Sequence, residues 1–164
     1  MGSVLKGMED EFRELYLARA AALRRTAFLL CGDWHQAEDL VQVSFAKLYA
    51  AWRRVESPEP YLRQVLVRSW VDETRRPHRR ERSYADLPDG PTQASSSTED
   101  RELLKAALMQ VPPRQRACLV LRFFDDLSVA DTARALGVND NTVKSQTSRG
   151  LEALRAVLPI KELL

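Results

Sequence analysis

Between Leu127 and Arg155 the chain reads LSVADTARALGVNDNTVKSQTSRGLEALR, and its polar side chains suit an extended polyanion. In helical register Asn141, Lys144, Ser145, Ser148 and Arg149 share one face, while Val143, Thr147, Gly150, Leu151 and Leu154 share the other. The first set combines cations for phosphates with hydroxyl and amide groups for base edges, the mixture that major-groove reading needs. A merely solvated face is the alternative. The scarcity of acids on this face before Glu152 argues against it.

A second cationic group lies earlier. Seven arginines fall between Pro60 and Arg82: Arg63, Arg68, Arg75, Arg76, Arg79, Arg80 and Arg82. The formal net charge is only +2, so any footprint for phosphate must come from such local density. Tyr61 and Trp70 have faces on which unpaired bases stack. Trp70, however, shares an apolar stripe with Leu62 and Leu66, so the reading is core for Trp70 and DNA for the arginines. A third set, Asp39, Gln42, Val43 and Ala46, lies opposite the apolar stripe of its helix and suits a protein-docking surface.

Little supports catalysis. His35 and His78 are the only histidines, at a helix start and in a polar segment, with no nucleophile or metal partner arranged near them. Cys31 and Cys118 lack the paired spacing of a zinc site, which fits structural thiols in a reduced compartment. The expectation is no enzyme activity, no metal and no cofactor. No apolar run approaches a membrane span, and MGSVLKGMED lacks the apolar core of a signal peptide. A cytoplasmic protein without membrane association is expected.

The elements that must position these groups are helices. The composition, 45% hydrophobic and 29% charged, is that of a chain with real cores. Phe12, Tyr16, Ala20, Leu23, Ala27 and Leu30 recur at helical steps, and Gly32 suits a left-handed end. Asp33 with Gln36 resembles a capping box. The next stripe is Ala37, Val41, Phe45, Leu48 and Trp52. A third helix is expected from about Pro60 to Arg76, ended by Pro77. From there to about Thr98 the chain is rich in Pro, Ser, Gly and charge and reads as a flexible linker.

A second helical block follows. Ser97 or Thr98 can cap a helix carrying Leu104, Leu108 and Val111. Pro112 and Pro113 break it and open another, with Ala117, Val120, Leu121 and Phe124 inward. Ser128 and Asp131 suit a cap. Ala133, Gly137 and Val143 have the small, turning and apolar characters that hold two helices at a fixed tilt in a helix-turn-helix. Asn139 or Asp140 can cap the second of these helices. No strand signal of useful length and no internal repeat stands out.

The segments GDWHQAEDLVQVSFAKLYAAW, PYLRQVLVRSWVDETRR and ALMQVPPRQRACLVLRFFDDLSVADTARALGVNDNTVKSQTSRGLEALR, in that order, resemble an extracytoplasmic-function sigma factor of bacterial RNA polymerase. The resemblance implies an all-α fold of two small domains. Residues 1–82 would be sigma domain two, 83–97 the linker, and 98–164 sigma domain four with its helix-turn-helix. It implies that Asp39, Gln42 and Val43 dock on the clamp helices of the largest polymerase subunit. Domain four would meet the flap of the second-largest subunit.

Tyr61, Arg68, Asp72, Arg75, Arg76, Arg79 and Arg80 would face the minus-ten element and help open it. Asn141, Thr142, Lys144, Ser145, Gln146, Ser148 and Arg149 would read the minus-thirty-five element. By the same resemblance the linker, with its acidic stretch from Asp86 to Asp100, would run through the RNA exit channel, and an anti-sigma protein is a further partner. The chain departs from the family pattern at Arg68, where Asn is common, and at Gln146, where Arg is common. A stand-alone helix-turn-helix regulator is the competing reading, and it leaves the first block without a purpose.

Overall fold

Every regular element is helical among the residues described by the computed structural model, 2–76 and 98–158. The first block comprises α1 (Gly2–Cys31), α2 (Trp34–Ala50) and α3 (Pro58–Thr74). The second comprises α4 (Thr98–Met109), α5 (Pro113–Leu119), α6 (Val129–Leu136) and α7 (Asp140–Val157). A single π-helical turn, Val120–Phe124, continues α5.

Local chemistry accounts for most of the boundaries. Gly32 has φ +75°, the left-handed conformation that ends α1. Asp33 then accepts a hydrogen bond from the His35 amide at 2.9 Å and caps α2. Its expected reciprocal partner does something else. Gln36 donates to Glu73 at 2.7 Å and so ties the start of α2 to the end of α3. Helix α3 begins at Pro58, two residues before the expected start, because a proline in the first turn loses no intrahelical hydrogen bond. Pro113 opens α5 for the same reason.

Core packing follows the apolar stripes. Ala27, Leu30, Ala37, Val41, Leu48, Leu66 and Val67 are fully buried where α1, α2 and α3 meet. Trp70 is 2% exposed, which settles its role as a core residue. Phe12 meets Phe45, Tyr49 and Trp52 edge-on at centroid distances of 6.0, 5.2 and 5.5 Å. Such arrangements set the aromatic edge against the electron-rich face. Trp52 thus packs as its stripe predicts, although α2 has already ended.

Phe124 departs from expectation. It is 44% exposed rather than buried. The cause is the π turn, in which the Asp125 amide bonds the Val120 carbonyl five residues back at 3.1 Å. An added residue per turn rotates the following side chains off the helical register, so Val120 and Leu121 stay inside while Phe123 and Phe124 swing out.

The two blocks pack against each other. Leu108, Val111, Leu119, Leu121 and Ala135 of the second block join one apolar cluster with the core of the first. The polar interior is satisfied throughout: among the described residues no buried side-chain nitrogen or oxygen lacks a hydrogen-bond partner. The linker assigned to 83–97 lies outside the described residues.

Candidate nucleic-acid and polymerase interfaces

The helix-turn-helix is built as its residues demand. Ser128 accepts from the Asp131 amide at 3.0 Å and caps α6. The Asp131 carboxylate itself accepts from Arg134, and this bond, before all else, holds its pKa below the usual carboxylate range. Gly137 ends α6 at φ +70°, a conformation that costs a side-chain-bearing residue about 1–2 kcal/mol. Asn139 is the cap of α7, accepting from the Thr142 amide at 2.8 Å. Ala133 and Val143 are buried together with Cys118 between the two helices.

Sequence spacing sorts the faces of α7 correctly. Val143 and Gly150 are buried, and Asn141, Lys144, Ser145, Ser148 and Arg149 are exposed. Thr142 and Gln146 are half-buried at the edges of that face. Gly150 is there for proximity: a Cβ on it would lie 3.0 Å from Leu119 Cγ and 3.3 Å from the Gln115 carbonyl. The close approach of α5 covers the Gly150 side of α7 and leaves its polar face outward.

On α3 the buried side carries Leu62, Leu66, Val67 and Trp70, the opposite side presents Arg68 and Asp72, and Arg75 and Arg76 are exposed just past its C-terminal end. Tyr61 is half-buried and packs on the core cluster. Arg79 and Arg80 lie outside the described residues. Arg68 is engaged within the chain. Its Nε donates to the Ala135 carbonyl at 3.1 Å and its Nη2 to the Arg134 carbonyl at 3.0 Å. Both carbonyls end α6, where unpaired C=O groups and the helix dipole favour a cation. No sequence signal paired these residues, which lie more than sixty positions apart.

The third surface is on α2. Asp39, Gln42, Val43 and Ala46 are all exposed, as their spacing implied. Gln42 donates to Glu38 at 2.9 Å and to the Tyr16 hydroxyl at 3.3 Å, which orients its amide. The bond from Gln42 is the main cause of the lowered Glu38 pKa, with Arg24, 2.5 Å away, adding to it. Tyr49, 55% exposed, extends the patch by one further turn. The i, i+3 step from Ala46 could have pointed to it.

Between the blocks lies a cleft of about 430 Å³ lined by Arg19, Arg25, Phe28, Arg63, Arg101 and Phe124 among others. Its carboxylates, Glu59 and Asp125, face arginines: Glu59 pairs with Arg19 at 2.6 Å and Asp125 with Arg63 at 3.7 Å. Desolvation raises the Cys31 thiol to about 12 and Cys118 to about 11. Both stay protonated and poorly nucleophilic at neutral pH. Among the described residues no cluster of three or more His, Cys, Asp or Glu is disposed to hold a metal. No described helix is long and apolar enough to cross a membrane.

Comparison with known proteins decides what these surfaces belong to. Residues 15–81 match the family described as Sigma-70 region 2, and residues 101–154 match Sigma-70, region 4. The RNA polymerase sigma-E factor of Streptomyces coelicolor is 35% identical, over 99% of this chain and 92% of that protein. The ECF RNA polymerase sigma factor SigL of Mycobacterium tuberculosis is 32% identical, over 89% of this chain and 88% of the relative. The chain belongs to the extracytoplasmic-function sigma factors.

This sigma factor is therefore a transcription initiation factor that binds core RNA polymerase and directs it to promoters. Its fold agrees with the solved structure of the sigma factor RpoE in complex with the anti-sigma factor NepR from Bartonella quintana. The TM-score is 0.75 at 25% identity, over 92% of this chain and 98% of that one. The stand-alone regulator is not favoured, because a region 2 match covers the block it left unexplained.

Proposed function

We propose that the three surfaces divide the work of promoter recognition. The exposed face of α7, with Asn141, Thr142, Lys144, Ser145, Gln146, Ser148 and Arg149, reads the minus-thirty-five element. The outer face of α3, with Tyr61, Arg68, Asp72, Arg75 and Arg76, and with Arg79 and Arg80 beyond it, contacts and helps open the minus-ten element. Asp39, Gln42 and Val43 seat the factor on the clamp helices of the largest subunit, and the second block meets the flap. The functional divisions are 1–82, 83–97 and 98–164. The factor acts in the cytoplasm without catalysing a reaction, and an anti-sigma protein holds it inactive, as NepR is bound to the Bartonella RpoE.

The observation that carries this reading is the facing of α7: five polar or cationic side chains outward and Val143 and Gly150 buried beneath them. That arrangement gives hydrogen-bonding reach into a groove from a fixed platform. One such helix on a chain of net charge +2 makes few phosphate contacts. Two weak contacts act as one strong one when polymerase holds them at a fixed separation.

The test is a footprint and gel-shift series at physiological salt. Holoenzyme is expected to protect both elements and open the downstream one, while the factor alone binds weakly and loses binding steeply with salt. Asp39→Arg should lower affinity for core polymerase with helical circular dichroism unchanged, since Asp39 is exposed. Tight, specific binding of duplex promoter by the factor alone would defeat the proposal.

A further inference from the structure

The cleft between the blocks offers chemistry that promoter recognition leaves aside. It encloses about 430 Å³, within the range of roughly 300–1,000 Å³ in which small-molecule sites fall. Leu23, Phe28 and Leu62 of the first block give it a buried apolar floor. Leu104 of α4 and Phe124 add apolar side chains from the second block. The π turn accounts for Phe124, because it carries the ring out of the core register, 44% exposed, to line the cleft. Such turns are frequent at functional sites.

The charged part of the lining is mostly cationic. Arg19, Arg25, Arg63 and Arg101 stand beside only two carboxylates, Glu59 and Asp125. Glu59 is taken by Arg19 at 2.6 Å and Asp125 by Arg63 at 3.7 Å. Arg25 and Arg101 are exposed, and among the described residues their guanidinium groups have no hydrogen-bond or ion-pair partner. The site therefore favours an anion. The floor residues carry no polar side-chain atom, so sugar hydroxyls or base edges set against them would be desolvated without partners. Thr26, the buried hydroxyl of the lining, already donates to Asp125 at 2.8 Å.

We infer that the cleft is a binding site for a small anionic amphiphile, an apolar body carrying one carboxylate or phosphate head. The body lies against Phe28, Leu104 and Phe124, and the head meets the guanidinium groups of Arg25 and Arg101. Guanidinium suits either head, because its planar fork of donors pairs with two oxygens at once. The body contributes through apolar area removed from water. No residue assigned to polymerase or to DNA lines the cleft, so the site is distinct from those surfaces.

The test uses the full chain and three probes of one chain length, octanoate, octyl phosphate and octanol, each below its micellar or solubility limit. Calorimetry should show saturable binding of one anion per chain, about tenfold tighter than octanol, the scale of two partly exposed ion pairs. The tighter of the two anions identifies the head. Arg25→Ala and Arg101→Ala should each weaken that anion about threefold and leave octanol unchanged. Both side chains are exposed, so helical circular dichroism should stay as in wild type. Phe124→Ala should weaken the anions and octanol alike, because it removes apolar wall and no charge.

Thermal unfolding gives a second readout. The cleft draws its lining from both blocks, so a saturating anion should raise the midpoint of the free chain. Octanol binding as tightly as both anions would reduce the cleft to an apolar surface and overturn the ligand class. Anion binding that falls in the arginine variants but is untouched by Phe124→Ala would belong to the charged rim alone and overturn the site. Failure of every probe to saturate, several anions bound per chain, or a midpoint that saturating anion does not move would overturn it as well.

Discussion

Arg149 and Lys144 stand exposed on α7 with no ion pair to an acid among the described contacts, so their charge is available to DNA. Arg149→Ala should cost about 1–3 kcal/mol in recognition of the upstream element, the range for one good base or phosphate contact. Holoenzyme titrations on promoters with and without the minus-thirty-five element would measure it. Equal loss on both templates would place Arg149 outside upstream recognition. Arg116 is the contrasting case at this scale. It is 8% exposed, lies 5.5 Å from the Trp70 ring centroid and donates to four carbonyls. An arginine so used is structural, because removing it would leave buried acceptors unpaired.

Among the elements, the turn between α6 and α7 sets the angle at which the polar face of α7 is offered. Gly137 at φ +70° forms that turn. Gly137→Ala places a side chain in the left-handed region, and its Cβ would press only on the flexible end of Arg68. The backbone term should therefore dominate. Urea denaturation should show a loss of about 1–2 kcal/mol, with helical content retained. A variant as stable as wild type would mean that the turn adopts another geometry in solution. The π turn is the other element with consequences, since it exposes Phe124 and carries Asp125 to α1 and α3.

Across the whole molecule, the join between the blocks is sensitive to pH through Asp125. Burial raises its pKa above the ordinary aspartate value, and the hydrogen bond from Thr26 and the charges of Arg63 and Arg25 oppose the rise. Asp126 adds to it. The folded chain therefore holds this proton more tightly than the unfolded chain. The proton's stabilising effect is complete below the unfolded value, about 3.9, and is lost as pH rises through the higher folded value. Asp125→Asn cannot titrate. Its stability relative to wild type should increase as pH rises through that window, read from urea midpoints. A constant difference across the window would mean that Asp125 is solvated and the blocks are apart in solution.

Much of this was legible in the sequence because periodicity and capping act over three or four residues. The apolar stripes of α1, α2 and α3 chose the buried faces, and with them the outward placement of Asp39, Gln42, Val43, Arg68 and Arg75. The Ala133–Gly137–Val143 spacing specified the helix-turn-helix, and Asn139 its second cap. Gln36 and Phe124 were misplaced for local reasons. A competing partner on α3 took the glutamine, and a π turn that no residue pattern announced shifted the register. What only the tertiary structure decided is the meeting of the blocks: Arg68 on the α6 carbonyls, Arg116 on Leu30, and Thr26 on Asp125. Backbone carbonyls at a helix end carry no side-chain signature, so an arginine that seeks them reads in sequence like one that seeks phosphate. The chain's order of residues chose its helices and their faces; only folding chose which cations the protein would keep for itself.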